Sequence, residues 1–120
     1  MNSSSAASTR RLIDTLAHGR VVAILRATHA GHLVAAAEVL ADADIRAVEF
    51  PLTTPGALQA LRELRDRRPE LLAGAGTVIT PADVAEAHAA GAQFLVAPCE
   101  IDAAEVARAA KVGHRWRNPL

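Results

Sequence analysis

Ala47-Val48-Glu49-Phe50-Pro51-Leu52-Thr53-Thr54-Pro55 is the stretch that decides the fold. An apolar run interrupted by one carboxylate passes at once into Thr-Pro, a capping hydroxyl followed by proline at the first helical position. It reads as a strand running straight into a helix. The same grammar recurs in both directions. Apolar runs at Val21 to Leu25, Ala47 to Phe50, Leu71 to Ala75 and Phe94 to Ala97 lie about 24 residues apart, with helical periodicity between them.

Each intervening segment has a start and a stop. The first helix follows Thr28, carries Leu33, Ala36, Ala37 and Leu40, and ends over Asp42 to Asp44. The second opens at Thr54-Pro55, repeats Leu58, Leu61 and Leu64, and stops at Pro69, with Arg62, Arg65, Arg67 and Arg68 forming a solvated face. Thr80-Pro81 opens the third, with Asp83 in its first turn and Gly91 as a left-handed end. Asp102, with Glu105 three residues on, opens a fourth that ends at Gly113.

Alternating strands and helices with short loops imply parallel strands joined by right-handed crossovers. Strands apolar on both faces suit a doubly wound sheet or a (β/α) barrel, and steady repetition without a nucleotide-binding glycine loop favours the barrel. A full barrel of this kind takes about 250 residues. The 120 residues here hold about four βα units, so the expected fold is α/β, an incomplete TIM-barrel type. The expected organisation is a flexible segment over 1–9, a half-barrel over 10–113 and an irregular basic tail over 114–120.

Composition narrows the function. Hydrophobic residues make up 51 %, but 28 of them are alanine and aromatics reach only 2 %, so the core must be aliphatic and closely packed. Thirteen basic and thirteen acidic side chains give no net charge, which disfavours nucleic acid and anionic membranes as partners. No apolar stretch spans a bilayer and the first residues lack a signal-peptide run, so a cytoplasmic location is expected. Cys99 has no second cysteine to pair with. It reads as a small thiol rather than a nucleophile. The five histidines are scattered, and His29 and His32 have no further ligand nearby, so neither metal nor cofactor is expected.

In either architecture the working face lies where strands end and helices begin. Glu49 stands out there, because a carboxylate inside an apolar run is desolvated unless it faces a polar cavity. It is either a general acid or base with a raised pKa, or the structural partner of Arg26 or Arg46. Arg26 offers a planar donor fork to a carboxylate or phosphate, or else a salt bridge to Glu49. Gly74-Ala75-Gly76-Thr77 lets backbone amides approach an oxyanion, or is a plain turn.

Val22-Ala23-Ile24-Leu25-Arg26, the Glu49 stretch, Gly74-Ala75-Gly76-Thr77-Val78 and Gly91-Ala92-Gln93-Phe94-Leu95-Val96-Ala97-Pro98, in this order and spacing, resemble the first half of the 2-keto-3-deoxy-6-phosphogluconate aldolases and the related 4-hydroxy-2-oxoglutarate and phosphogalactonate aldolases. The resemblance implies a metal-free lyase of an oligomeric (β/α) barrel that releases pyruvate and glyceraldehyde 3-phosphate through a Schiff base. It implies Glu49 as the acid/base, with Thr77 and Pro98 lining the pyruvate pocket. Thr53 stands where an arginine grips the carboxylate in the phosphogluconate enzymes, and Arg26 is the substitute.

The Schiff-base lysine of that family belongs to the sixth strand. The only lysine here is Lys111, about nine residues or roughly 13 Å along a helix from the active face. Two readings follow for the isolated chain: an aldolase by descent, or a noncatalytic half-barrel that acts by pairing its open edges with itself or a second half. A phosphate-binding (β/α) protein sharing only the architecture is a third. Exposed inner side chains, Ile24, Val48 and Phe94 among them, and a homo-oligomer are the expected consequences of a half-barrel.

Overall fold

The computed structural model describes residues 3–98. They form α1 (Ser3–Gly19), β1 (Ala23–Ile24), α2 (Leu33–Asp42), β2 (Ala47–Pro51), α3 (Ala57–Arg67), β3 (Leu72–Gly76) and α4 (Pro81–Ala89). The sheet is parallel, in the order β1-β2-β3. Its register sets Ile24 beside Glu49 and Glu49 beside Gly74. Beyond β3, the expected fourth strand is a single bridge between Ala75 and Leu95. Parallel backbone bonds still hold it, from the amide of Ala75 to the carbonyl of Phe94 (3.1 Å) and from that of Val96 to the carbonyl of Ala75 (2.9 Å). The Gln93 side chain accepts from the amide of Ala73 at 3.0 Å, which fixes where this segment joins the sheet.

Alternation along the strands divides the sheet into two unlike faces. Val48 and Phe50 of β2 and Ala73 and Ala75 of β3 enter the core with Leu33, Val34 and Ala37 of α2, Leu61 and Leu64 of α3 and Val84 of α4. Glu49, Gly74 and Gly76 lie on the opposite, inner face. Val48 is therefore fully buried and not, as expected from an open half-barrel, exposed. Ile24 behaves as expected, at 60 % exposed. Phe94 is half-buried, its ring lying over Gly74.

The ends of the helices follow from local chemistry. α4 has the full capping box: the Thr80 hydroxyl accepts from the Asp83 amide at 3.1 Å, and the Asp83 carboxylate accepts from the amides of Thr80 and Ile79. Gly91, at φ 95°, closes it, with Ala92 donating to Ala87 and Gly91 to His88. α2 closes in the same way with Asp44, at φ 67°, in the glycine place.

Thr54-Pro55 does something else. α3 starts two residues later, behind Gly56 at φ 85°, and Thr54, 1 % exposed, accepts from the Ala27 amide at 3.3 Å. The hydroxyl expected to cap a helix instead ties the loop after β2 to the loop after β1.

α1 takes up the chain from Ser3 and packs against β2. One further expectation needs correction. The α3 arginines are not only a solvated face: Arg67 and Arg68 reach Glu38 of α2 at 2.9 and 3.6 Å, and Arg65 packs on Gly91 with a buried Nη1. Cys99, the helix read from Asp102 to Gly113, Lys111 and the tail over 114–120 lie outside the described residues.

Because the cap of α4 is complete, Thr80→Ala is expected to cost about 1 kcal/mol in urea unfolding. Its two backbone donors hold the Asp83 carboxyl below the usual carboxylate range. That share of the stability is present above the unfolded pKa and is lost as pH falls through the folded one.

Candidate active site

The site is built at the carboxyl ends of the strands, on the inner face. Glu49 reaches it from the middle of β2 and is only 5 % exposed. Its carboxylate lies against Gly76 of β3, where a Cβ would collide with Oε2. Neither structural partner suggested by the sequence bonds to it among the described residues. Arg46 pairs with Asp44 at 3.2 Å, and Arg26 acts on Glu49 through its charge alone. Burial raises the Glu49 pKa, and the guanidinium of Arg26 offsets only part of that rise.

Thr77 follows Gly76 directly, half-buried and at φ 55°. A β-branched residue there is strained. Arg26 is exposed two residues past Ile24, and lines a cleft of about 390 Å³ between β1 and the start of α2 with Thr28, His29 and His32. Glu49 is not part of that cleft. Thr53, exposed in the turn after β2, and Pro98, exposed three residues past the bridge at Leu95, lie at the same end of the sheet. Glu49 and Gly76 are thus in direct juxtaposition with Arg26 in electrostatic range, and Thr77, Thr53 and Pro98 follow the strands at the same end.

Three residues shape this place in ways the sequence alone does not show. Thr54 braces the Arg26 loop. Phe94 fills the space over Gly74, and Gly76 clears the space for Glu49. The two glycines were visible as a pair, but what each makes room for depends on cross-strand register.

A parallel sheet with helices following its strands, and a desolvated carboxylate at the strand ends, defines an α/β protein of the parallel-stranded class. The chain belongs to the KDPG and KHG aldolase family, whose model matches residues 12–113. It is 38 % identical over 87 residues to the 2-dehydro-3-deoxy-phosphogluconate aldolase of Pseudomonas aeruginosa, covering 72 % of this chain and 40 % of that one. It is 37 % identical over 83 residues to the KHG/KDPG aldolase of Escherichia coli, covering 69 % and 39 %.

Among solved structures, the 4-hydroxy-2-oxoglutarate/2-dehydro-3-deoxyphosphogluconate aldolase from TTHB1 superimposes with a TM-score of 0.68 at 37 % identity, over 82 % of this chain and 49 % of that one. The Legionella pneumophila KDPG aldolase, captured with pyruvate as a covalent carbinolamine, gives 0.60 at 34 % identity, over 75 % and 43 %. The chain spans less than half the length of the relatives it matches.

The raised pKa of Glu49 has a measurable sign. The folded chain holds the Glu49 proton more tightly than the unfolded one. Its contribution is therefore greatest below the unfolded pKa, near 4.5, and declines as pH rises through the folded value. Glu49→Gln is expected to melt higher than the parent at neutral pH, and the difference should close as pH falls below the ordinary carboxylate range.

Proposed function

We propose that this chain carries the acid/base half of an aldolase site for phosphorylated 2-keto-3-deoxy sugar acids, within an incomplete (β/α) barrel of about four units. The observation that supports it most is the desolvated Glu49 beside Gly76-Thr77 in a chain of this family. In the proposed chemistry an amine adds to the C2 keto carbon, and Glu49 protonates the resulting hydroxyl so that it leaves as water from the carbinolamine. Glu49 then takes the proton of the C4 hydroxyl as the C3–C4 bond breaks toward the iminium. A carboxyl with a raised pKa suits both directions of transfer near neutrality. Thr77, Pro98, Thr53 and Arg26 would receive the pyruvate portion, with Thr77 donating to its carboxylate and Arg26 supplying the positive charge.

The reading needs no metal or cofactor, and it fits a cytoplasmic enzyme of carbohydrate breakdown of the Entner-Doudoroff type. Titrating pyruvate against the amide resonances of the chain tests it. Shifts centred on Arg26, Glu49 and Thr77, weakened by Thr77→Val, are expected; shifts at none of these positions would remove the reading.

Cleavage needs the amine as well, and a desolvated lysine is the usual source. With Lys111 as the sole lysine, the 120-residue chain by itself is expected neither to cleave 2-keto-3-deoxy-6-phosphogluconate nor to be trapped by pyruvate and borohydride. A pyruvate adduct on Lys111, lost together with cleavage in Lys111→Ala, would overturn that inactivity.

A noncatalytic module is the second reading, favoured by the inner face, where Ile24, Val22 and Val96 are 60 %, 38 % and 43 % exposed. Apolar side chains beside an open β1 edge favour association, with a homo-oligomer as the product. Sedimentation should show species heavier than 12.6 kDa. A monodisperse monomer with a cooperative melt would exclude this reading.

A further inference from the structure

We propose that Gly76 is the positioning residue for Glu49: the absence of a Cβ on the inner face of β3 provides the seat that the Glu49 carboxylate occupies. A Cβ at Gly76 would fall on Oε2 of Glu49 and lie 3.0 Å from its Cγ, so the whole end of the side chain is involved. Backbone freedom is not the reason for glycine here. Gly56 and Gly91 have positive φ, whereas Gly76 lies in regular β3, paired with Pro51 in an ordinary strand register. The requirement is space alone. Two residues earlier on the same face, Gly74 gives its space to the Phe94 ring, so each glycine of Gly74-Ala75-Gly76 is filled by a side chain from a different neighbouring segment.

The seat accounts for the state of the carboxyl. Pressed on the β3 backbone, Glu49 is shielded from water although the inner face around Ile24 is open. Among the described residues, the charged group that acts on it is Arg26, from the β1 side, with none from α1, which also packs against β2. β3, from Leu72 to Gly76, and the segment Phe94-Leu95-Val96 contribute none. Filling the seat should drive the carboxylate off β3 into the open half of the face, where it regains water. The importance of this for proton transfer rests on Glu49 being the acid/base proposed above; the seat itself does not.

The test is a double-mutant cycle on the full chain read by thermal unfolding, with the Glu49 carboxyl titrated by carbon NMR. Gly→Ala in an unstrained strand position is ordinarily neutral or stabilising. Gly76→Ala is therefore expected to lower the melting temperature of the parent, or prevent folding, and to be tolerated in the Glu49→Ala background. Where the single variant folds, its Glu49 should titrate closer to the ordinary value near 4.5 than in the parent. Equal loss in both backgrounds, failure to fold in both included, or an unchanged Glu49 titration overturns the proposal. A chain that binds no pyruvate but shows the coupling keeps the seat and loses the aldolase chemistry; pyruvate binding without coupling does the reverse.

Discussion

Everything in this structure depends on the register between β2 and β3. The side chains of β2 alternate, so Val48 and Phe50 enter the helical layer while Glu49 is delivered to the opposite face, beside Gly74 and over Gly76. A slip of one residue would send the carboxylate among Leu61, Leu64 and Val84 and turn two large apolar side chains outward. Burying an unpaired charge in that layer would cost far more than a surface exchange. The hydrophobic effect thus fixes the position of the Glu49 carboxylate indirectly, by fixing its neighbours.

Small residues make that register workable. The core holds one aromatic ring, Phe50, and fills its remaining volume with aliphatic side chains and alanines at Ala37, Ala57, Ala60, Ala73, Ala75 and Ala87. Alanine on both helix and strand lets α3 approach the sheet closely, where dispersion contacts are many though individually weak. On the other face glycine plays the corresponding part, and the space it leaves is taken by Glu49 and Phe94. The ion pairs of Arg67 and Arg68 with Glu38 join α2 to α3, but they are half-exposed and contribute little beside the core.

Local signals were legible in the sequence wherever the chemistry itself was local. β2, β3, the cap at Thr80 and the left-handed stop at Gly91 could be read directly, because each depends on residues within a few positions of one another. Thr54-Pro55 has the same wording as Thr80-Pro81 and a different use. Asp83 completes the box at Thr80, whereas Ala57 at the matching place cannot, and Gly56 takes the start of the helix instead. Val48 is buried because its parity with Phe50 puts it on the helix side, a distinction that apolar runs read as two-faced do not draw. The fourth run, expected as a strand, forms only a bridge, held by Gln93 at a distance in sequence that no local pattern encodes. Glu49 was legible as an anomaly. The reason it can be there, a glycine twenty-seven positions later, was not.

Several features that oppose folding lie close together on the inner side of the sheet. A carboxyl held above its ordinary pKa by burial, a threonine at φ 55° and a row of exposed apolar side chains all lie on the inner side of the sheet or at its carboxyl end. The outer side has the capped α4 and the continuous core, with Asp44 at φ 67° and the buried Arg65 Nη1 as its own exceptions. Local rules broken without local compensation mark where stability gained elsewhere must sustain them, which is why the proposed site falls on this face. In this chain the mark appears twice over, in the strain at Thr77 and the desolvation of Glu49, on either side of the same glycine. Gly76 joins the two, as the neighbour of Thr77 in the chain and the seat of the Glu49 carboxylate across the sheet.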